Sequence, residues 1–191
     1  MLPYLDKPFA LYGHCIGGLT SFETARVLLE DYRLRVEHLI VSGSRPPHRV
    51  KQLGLFEETL LADVLTHEKF DPFLPAHEQP DEVFMDMLRH FRLDATEEFL
   101  QLPELRNLLL PTIRAEFAMA WNYRCPVEAL WDIPITCFTG LDDAYVTRED
   151  AMAWSRFTKS TFTIHLREGT HFLIADDRDF ILDTINRELS A

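Results

Sequence analysis

The sequence predicts an α/β protein, a mostly parallel sheet interrupted by a large helical insertion. Three observations predict it. An apolar run from Phe9 to Tyr12 leads straight into Gly13-His14-Cys15-Ile16-Gly17, and Leu19, Phe22, Ala25 and Leu29 then fall on one face of a helix. A second apolar run, Val36 to Ser42, follows at once, which completes the β-turn-α-β unit of a parallel sheet. Between residues 51 and 125 the hydrophobic period turns helical, and strand signals resume only at Ile135.

Length and composition bound the reading. A chain of 191 residues with 47% hydrophobic and 26% charged content suits one domain carrying an insertion, and it argues against disorder. With 19 basic against 31 acidic residues the formal net charge is −12, which disfavours nucleic acid as a partner. No run is long and apolar enough to cross a membrane, and the N-terminus lacks the segments of a signal peptide. Three widely spaced cysteines suggest neither a disulfide framework nor a metal cage, so the expectation is a cytoplasmic protein without metal or cofactor.

Taken in order, Phe9–Tyr12 reads as the first strand, Leu19–Tyr32 as the helix after the turn and Val36–Ser42 as the second strand. Pro46 and Pro47 force an extended exit. The insertion carries amphipathic runs at Phe56–Leu65, Asp81–Phe91, Thr96–Leu100 and Leu105–Tyr123, with Asp81, Asp94 and Pro111 as starts or breaks. Its aromatic and methionine positions (Phe84, Met85, Met87, Leu88, Phe91, Phe117, Met119, Trp121) read first as helix packing, with some available to line an acyl pocket. Ile135–Thr139 is the third strand, Gly140–Val146 a turn, Thr147–Phe157 a helix, Phe162–Leu166 the fourth strand and Glu168–His171 a loop. A helix over Ala175–Leu189 ends the chain. Only eight residues precede Phe9, so the outer side of its strand has no partner in this chain. A buried-type strand at an edge invites pairing, so either the numbering starts inside a larger protein or another chain completes the sheet.

The chemistry gathers around Cys15. Strand, sharp turn and helix form the nucleophile elbow of α/β-hydrolases, in which flanking glycines relieve collisions and the helix dipole favours negative charge. Gly-x-Cys-x-Gly alone is a weak signal, since a buried cysteine is more often inert packing. Chain order strengthens it, because nucleophile, acid and histidine follow one another on this fold. Gly140-Leu141-Asp142-Asp143 directly follows the third strand and His171 the fourth, where loops at the carboxyl edge of the sheet reach the elbow. Asp143 is preferred to Asp142 because a Gly-x-x-Asp-x-x-Val pattern ends at Val146 in the next turn. An unperturbed thiol titrates about 1.5 units above neutrality, so His171 either takes its proton or holds Cys15 as a thiolate in an ion pair. Asp143 fixes the imidazole tautomer, and the backbone N–H of Ile16 supplies one oxyanion donor. The second donor normally comes from a loop after an earlier strand. His14 is read as pointing away along the turn into packing or a hydrogen bond, and Cys125 and Cys137 as core. Arg45, His48, Arg49 and Lys51 form a basic cluster, either a solvated loop or a receiver for a phosphate or an acidic partner.

These residues resemble the stand-alone type II thioesterases of nonribosomal peptide and polyketide synthases, along nearly the whole chain. The likeness rests on Gly13-His-Cys-Ile-Gly-Gly18, Val41-Ser-Gly-Ser-Arg-Pro-Pro-His48 and Pro103-Glu-Leu-Arg-Asn-Leu-Leu-Leu-Pro111 with Arg114 and Phe117. It continues in Gly140-Leu-Asp-Asp143, Trp154 and Gly169-Thr-His-Phe172. The resemblance implies an α/β-hydrolase fold over residues 1–191 with a helical lid at 51–125. It implies hydrolysis of acyl groups from the phosphopantetheine arm of acyl or peptidyl carrier domains, with Cys15, Asp143 and His171 as the triad. Carriers are typically acidic near the arm, which makes Arg45, His48 and Arg49 expected docking residues. The family's N-terminal strands with their oxyanion loop are not in this chain, and its usual serine is here Cys15. An acyl-Cys15 intermediate is itself a thioester, so the group stays activated for water or for an amine, alcohol or thiol acceptor. An acyltransferase or cyclase, and a non-catalytic carrier-binding module, are the alternatives.

Overall fold

The computed structural model describes residues 5–52, 64, 66–90, 100–125 and 131–190. The backbone divides into two compact units, 1–49 with 125–191, and 50–124. Among the described residues of the first unit, four strands form one sheet in the order β1 (Ala10–His14), β2 (His38–Ser42), β3 (Ile135–Gly140), β4 (Phe162–Arg167), every pair parallel. Register aligns Gly13 with Val41 and His14 with Ser42, then Val41 with Cys137 and Cys137 with Ile164.

Parallel strands covered on both faces need apolar residues at every position, not at alternate ones. Leu39, Val41, Ile135 and Cys137 turn to one side and pack with Phe22, Ala25 and Leu28 of α1 (Ile16–Tyr32). Ala151 of α4 (Arg148–Met152), Trp154 and Phe157 of the 3-10 turn Ala153–Phe157, and Trp131 close that layer. Phe22 is its hub, stacked on Trp131 at 4.5 Å and edge-on to Phe157 at 5.1 Å. Ile40 and Phe138 turn the other way onto Leu173 of α5 (Leu173–Asp176) and Ile181 of α6 (Arg178–Leu189). The predicted closing helix is thus two helices, broken at Asp177 where φ is −135° and ψ 46°. α1 begins three residues before the predicted start, because Cys15 passes directly from strand to helix.

The second unit has its own core. Val83, Phe84, Met87 and Leu88 of α2 (Asp81–His90) pack with Val64, Ala76 and Leu110, and Met85, Ile113 and Phe117 lean on them. α3 (Pro103–Asn122) follows the expected run Leu105–Tyr123 and passes through Pro111, one of the expected starts or breaks. A mid-helix proline costs about 3 kcal/mol, and the burial of Leu110 with Ile113 and Phe117 offsets that. Met119 and Trp121 are exposed. The expected helix Phe56–Leu65 lies outside the described residues apart from Val64, Thr96–Leu100 apart from Leu100, and Asp94 and Phe91 lie outside them too. Among the described residues no helix is long and apolar enough to cross a membrane.

One buried hydrogen bond fastens the loop after β2 to the layer beneath it. Trp154 is fully buried and its indole N–H donates to the Ser44 carbonyl at 2.8 Å. Trp154→Phe removes that donor and strands the carbonyl, so unfolding free energy should fall by about 1–3 kcal/mol in a denaturant titration. An unchanged midpoint would mean that the bond contributes nothing.

Candidate active site

β1 delivers Cys15 into a conformation that only an imposed turn can hold. Its φ is 53° and ψ −122°, a region that costs a non-glycine residue about 1–3 kcal/mol. Backbone bonds brace it, since the Cys15 N–H donates to the Ser42 carbonyl at 2.9 Å and the Gly18 N–H to the Cys15 carbonyl at 3.1 Å. The close approach behind this turn is at Gly13, where a Cβ would lie 2.1 Å from the Gly17 carbonyl oxygen. A Cβ at Gly17 would meet nothing within 4 Å, whereas one at Gly18 would lie 2.2 Å from Ser44 Oγ. The flanking glycine that relieves a collision on the helix side is therefore Gly18 and not Gly17. The helix axis carries position 17 clear while position 18 turns down onto the loop after β2. The Cys15 side chain is exposed. Ile16 opens α1, so its N–H is one of the four a helix leaves without an intrahelical acceptor.

Asp143 follows β3. Its Oδ1 accepts the backbone N–H groups of Tyr145 at 2.8 Å and Val146 at 3.0 Å, a local turn that aims the other oxygen outward. His171 follows β4, and its Nδ1 lies 3.0 Å from Asp143 Oδ2 and 3.2 Å from Oδ1. Asp143's side chain is wholly buried and His171's is 5% exposed. Asp142 is exposed, and its backbone N–H donates to the Gly169 carbonyl at 3.0 Å. On the other side the Cys15 thiol lies close enough to His171 to act on its charge. Burial alone would push the His171 imidazole down, but the bond to Asp143, the neighbouring Cys15 and the charges of both outweigh it and raise the group to about 9. A buried imidazolium between a carboxylate and a thiol is the arrangement that supports a thiolate nucleophile.

The remaining candidates divide. His14 does not point away from the site: its ring lies 5.1 Å from that of His171. The alternation of β1 puts it on the α6 face with Tyr12, the side on which the His171 loop folds over. Arg45 Nε donates to the Tyr145 carbonyl at 2.8 Å and lies 3.3 Å from Asp150 Oδ2, with 13% of its side chain exposed. Arg49 Nη1 donates to Asp150 Oδ1 at 2.9 Å with 33% exposed. Asp150 also closes a capping box with Thr147 at the start of α4. Burial would raise its carboxyl, yet Arg49, Arg45 and Thr147 together hold it below the usual range. His48 packs on Phe157 at 5.5 Å, and burial, then Arg156 and Arg49, lowers its imidazole. Lys51's side chain lies outside the described residues. Cys137 is in the sheet core, its thiol pushed up to about 12 by burial and only partly relieved by Thr139. Cys125 packs against the same core. Asp150 and Tyr145 carry no motif of their own. The i,i+3 Thr147–Asp150 spacing is the one signal in the sequence that reaches this network. Among the described residues no cluster of His, Cys, Asp and Glu fits a metal ion.

Known proteins share this arrangement of elements. Residues 2–189 match the thioesterase domain family. Linear gramicidin dehydrogenase LgrE of Brevibacillus parabrevis is 29% identical over 193 residues, covering 100% of this chain and 66% of its own. Gramicidin S biosynthesis protein GrsT of Aneurinibacillus migulanus is 30% identical over 188 residues, covering 98% of this chain and 65% of its own. The solved structure of the type II thioesterase BorB from the borrelidin biosynthetic cluster superposes with a TM-score of 0.72 at 30% identity, over 97% of this chain and 64% of that one. The chain thus spans about two thirds of the length of the relatives it matches. With a parallel α/β-hydrolase sheet, an elbow after its first strand and a family match over nearly every residue, the chain belongs to the thioesterase domain family.

Proposed function

We propose that this chain hydrolyses acyl groups from phosphopantetheine arms of acyl or peptidyl carrier domains in peptide or polyketide biosynthesis, through a Cys15-His171-Asp143 triad. The observation that carries the proposal is buried His171 bonded to Asp143 at 3.0 Å, beside a Cys15 raised on a strained turn at the head of α1, in a member of the thioesterase domain family. The Cys15 thiolate attacks the thioester carbonyl, and the Ile16 N–H receives the developing oxyanion. His171 donates its proton to the departing pantetheine sulfur as the carbonyl re-forms, leaving acyl-Cys15 and neutral His171. A thioester replaces a thioester, so the exchange is close to thermoneutral. Water then attacks acyl-Cys15 while His171 takes its proton, the acid leaves, and the proton retained on His171 restores the ion pair with Cys15. The unit 50–124 is the lid in this reading. Of the two arginines expected to dock the carrier, Arg49 is the more exposed, 33% against 13%, so it is assigned that contact, and Arg45 is assigned the internal bracing of the acid loop.

Reactivity needs the imidazolium, so its loss sets the alkaline limit. Because His171 is raised to about 9, hydrolysis of an acyl N-acetylcysteamine thioester should fall as pH rises through about 9. Iodoacetamide at neutral pH should label Cys15 at least roughly ten times faster than Cys125 and Cys137, and His171→Ala should remove that advantage. Equal, slow labelling of all three would leave only a carrier-binding module. Asp143→Asn should lower kcat roughly a hundredfold or more with the fold intact by circular dichroism. With an amine present, amide in place of free acid as the main product would make the protein a transferase. Arg49→Glu should raise KM for a carrier-bound substrate several-fold while sparing the small thioester; equal effects on both would remove Arg49 from docking.

A further inference from the structure

The His171 imidazole is held by more than its hydrogen bond to Asp143. Three rings surround it: Tyr145 edge-on at 5.1 Å, Phe172 edge-on at 5.2 Å and His14 tilted at 5.1 Å. His14 also touches Phe172, with ring centroids 5.8 Å apart, so the walls brace one another. The two imidazoles meet over Gly43, where a Cβ would lie 3.1 Å from His14 Cε1 and 3.3 Å from His171 Cε1. Neither ring nitrogen of His14 has a hydrogen-bond partner among the described residues, although both are buried. The nearby Ser42 carbonyl accepts the Cys15 N–H and also acts on the His14 ring. A buried polar ring without partners costs free energy, and here it stands next to the nucleophile in a position that packing alone would fill with an apolar residue.

We propose that His14 is a positioning residue: as an uncharged ring it forms the wall of the cage that keeps the His171 imidazole in line between Asp143 and Cys15. The proposal rests on the triad reading above. The groups facing His14 are His171 and Asp143 from the loops after β4 and β3, Ser42 of β2, and Tyr12 and Cys15 of its own segment. Burial, and then the positive His171 beside it, holds the His14 imidazole down to about 4, and the Ser42 carbonyl and Asp143 only partly offset this. Between about pH 4 and about pH 9 His14 is therefore neutral while His171 is charged, and over that range the cage receives the imidazolium without a second cation. Edge-on Tyr145 and Phe172 rings and a neutral imidazole tolerate a charge that a protonated neighbour would repel.

Three variants test this: His14→Ala opens the wall, His14→Phe keeps a ring that cannot ionise, and His14→Gln keeps polarity without a ring. With an acyl N-acetylcysteamine thioester, His14→Ala should lower kcat tenfold or more and leave KM within twofold. Its alkaline limit should move from about 9 toward the ordinary imidazole value of 6.5, because a loosened ring makes a poorer bond to Asp143 and a poorer approach to Cys15. His14→Phe should recover most of kcat and restore the limit. A folded His14→Ala with kcat within twofold and the limit unmoved overturns the proposal, as does a folded His14→Phe that is as slow as His14→Ala. If His14→Ala melts before assay temperature, His14→Gln is read by the same criteria. Iodoacetamide labelling of Cys15 reads the cage without substrate. Labelling that slows in His14→Ala and recovers in His14→Phe supports the cage even if the wild-type protein hydrolyses nothing, which would sink the thioesterase reading alone. Labelling unaffected by either variant sinks the cage.

Discussion

The buried contact between Asp143 and His171 constrains everything around it. A carboxylate withdrawn from water is tolerable only when its lone pairs are occupied and its charge is met. Asp143 meets those terms with two backbone N–H groups of its own turn and with one imidazole from another strand. The turn after β3 can therefore take one shape, and the loop after β4 must come to it. Cys15, raised on a strained backbone at the head of α1, then finds the imidazole already oriented.

A second polar network lies behind the first and fixes the same turn from outside. Arg45 holds the Tyr145 carbonyl, while Tyr145 supplies both an N–H to Asp143 and a ring to the His171 cage. Asp150 gathers Arg45, Arg49 and the first turn of α4, and Trp154 pins the Ser44 carbonyl one residue before Arg45. The loop after β2 thus braces the acid loop through Arg45 and lies against the His171 ring at Gly43. Placing arginines here follows from geometry, since one guanidinium can serve a carbonyl and a carboxylate at once.

The frame of the molecule was legible because it is periodic. Apolar runs gave four strands, of which β2 and β3 are the buried ones, and the order of Cys15, Asp143 and His171 placed each at the carboxyl end of its own strand. What resisted was side-chain direction in loops, where no period applies. Arg45 reads as a surface cation and is turned inward by Asp150, a residue marked only as a helix cap. His14 reads as a bystander because a loop joined from 157 residues further on folds over it, a contact that no local spacing encodes. The Gly-x-Cys-x-Gly motif points to Gly17, and the helix phase moves the close contact to Gly18. Pro111 misled because local propensity was set against a tertiary core that outweighs it.

The four parallel strands have a further consequence for how the chain matures. Parallel neighbours cannot be joined by a hairpin, so Cys15 and His171 come together only after the whole sheet from β1 to β4 has assembled across most of the chain's length. Until that moment the sulfur has no imidazole beside it. An incompletely folded chain thus lacks the approach of the β4 loop to the elbow, and that contact arrives only when β4 joins the sheet.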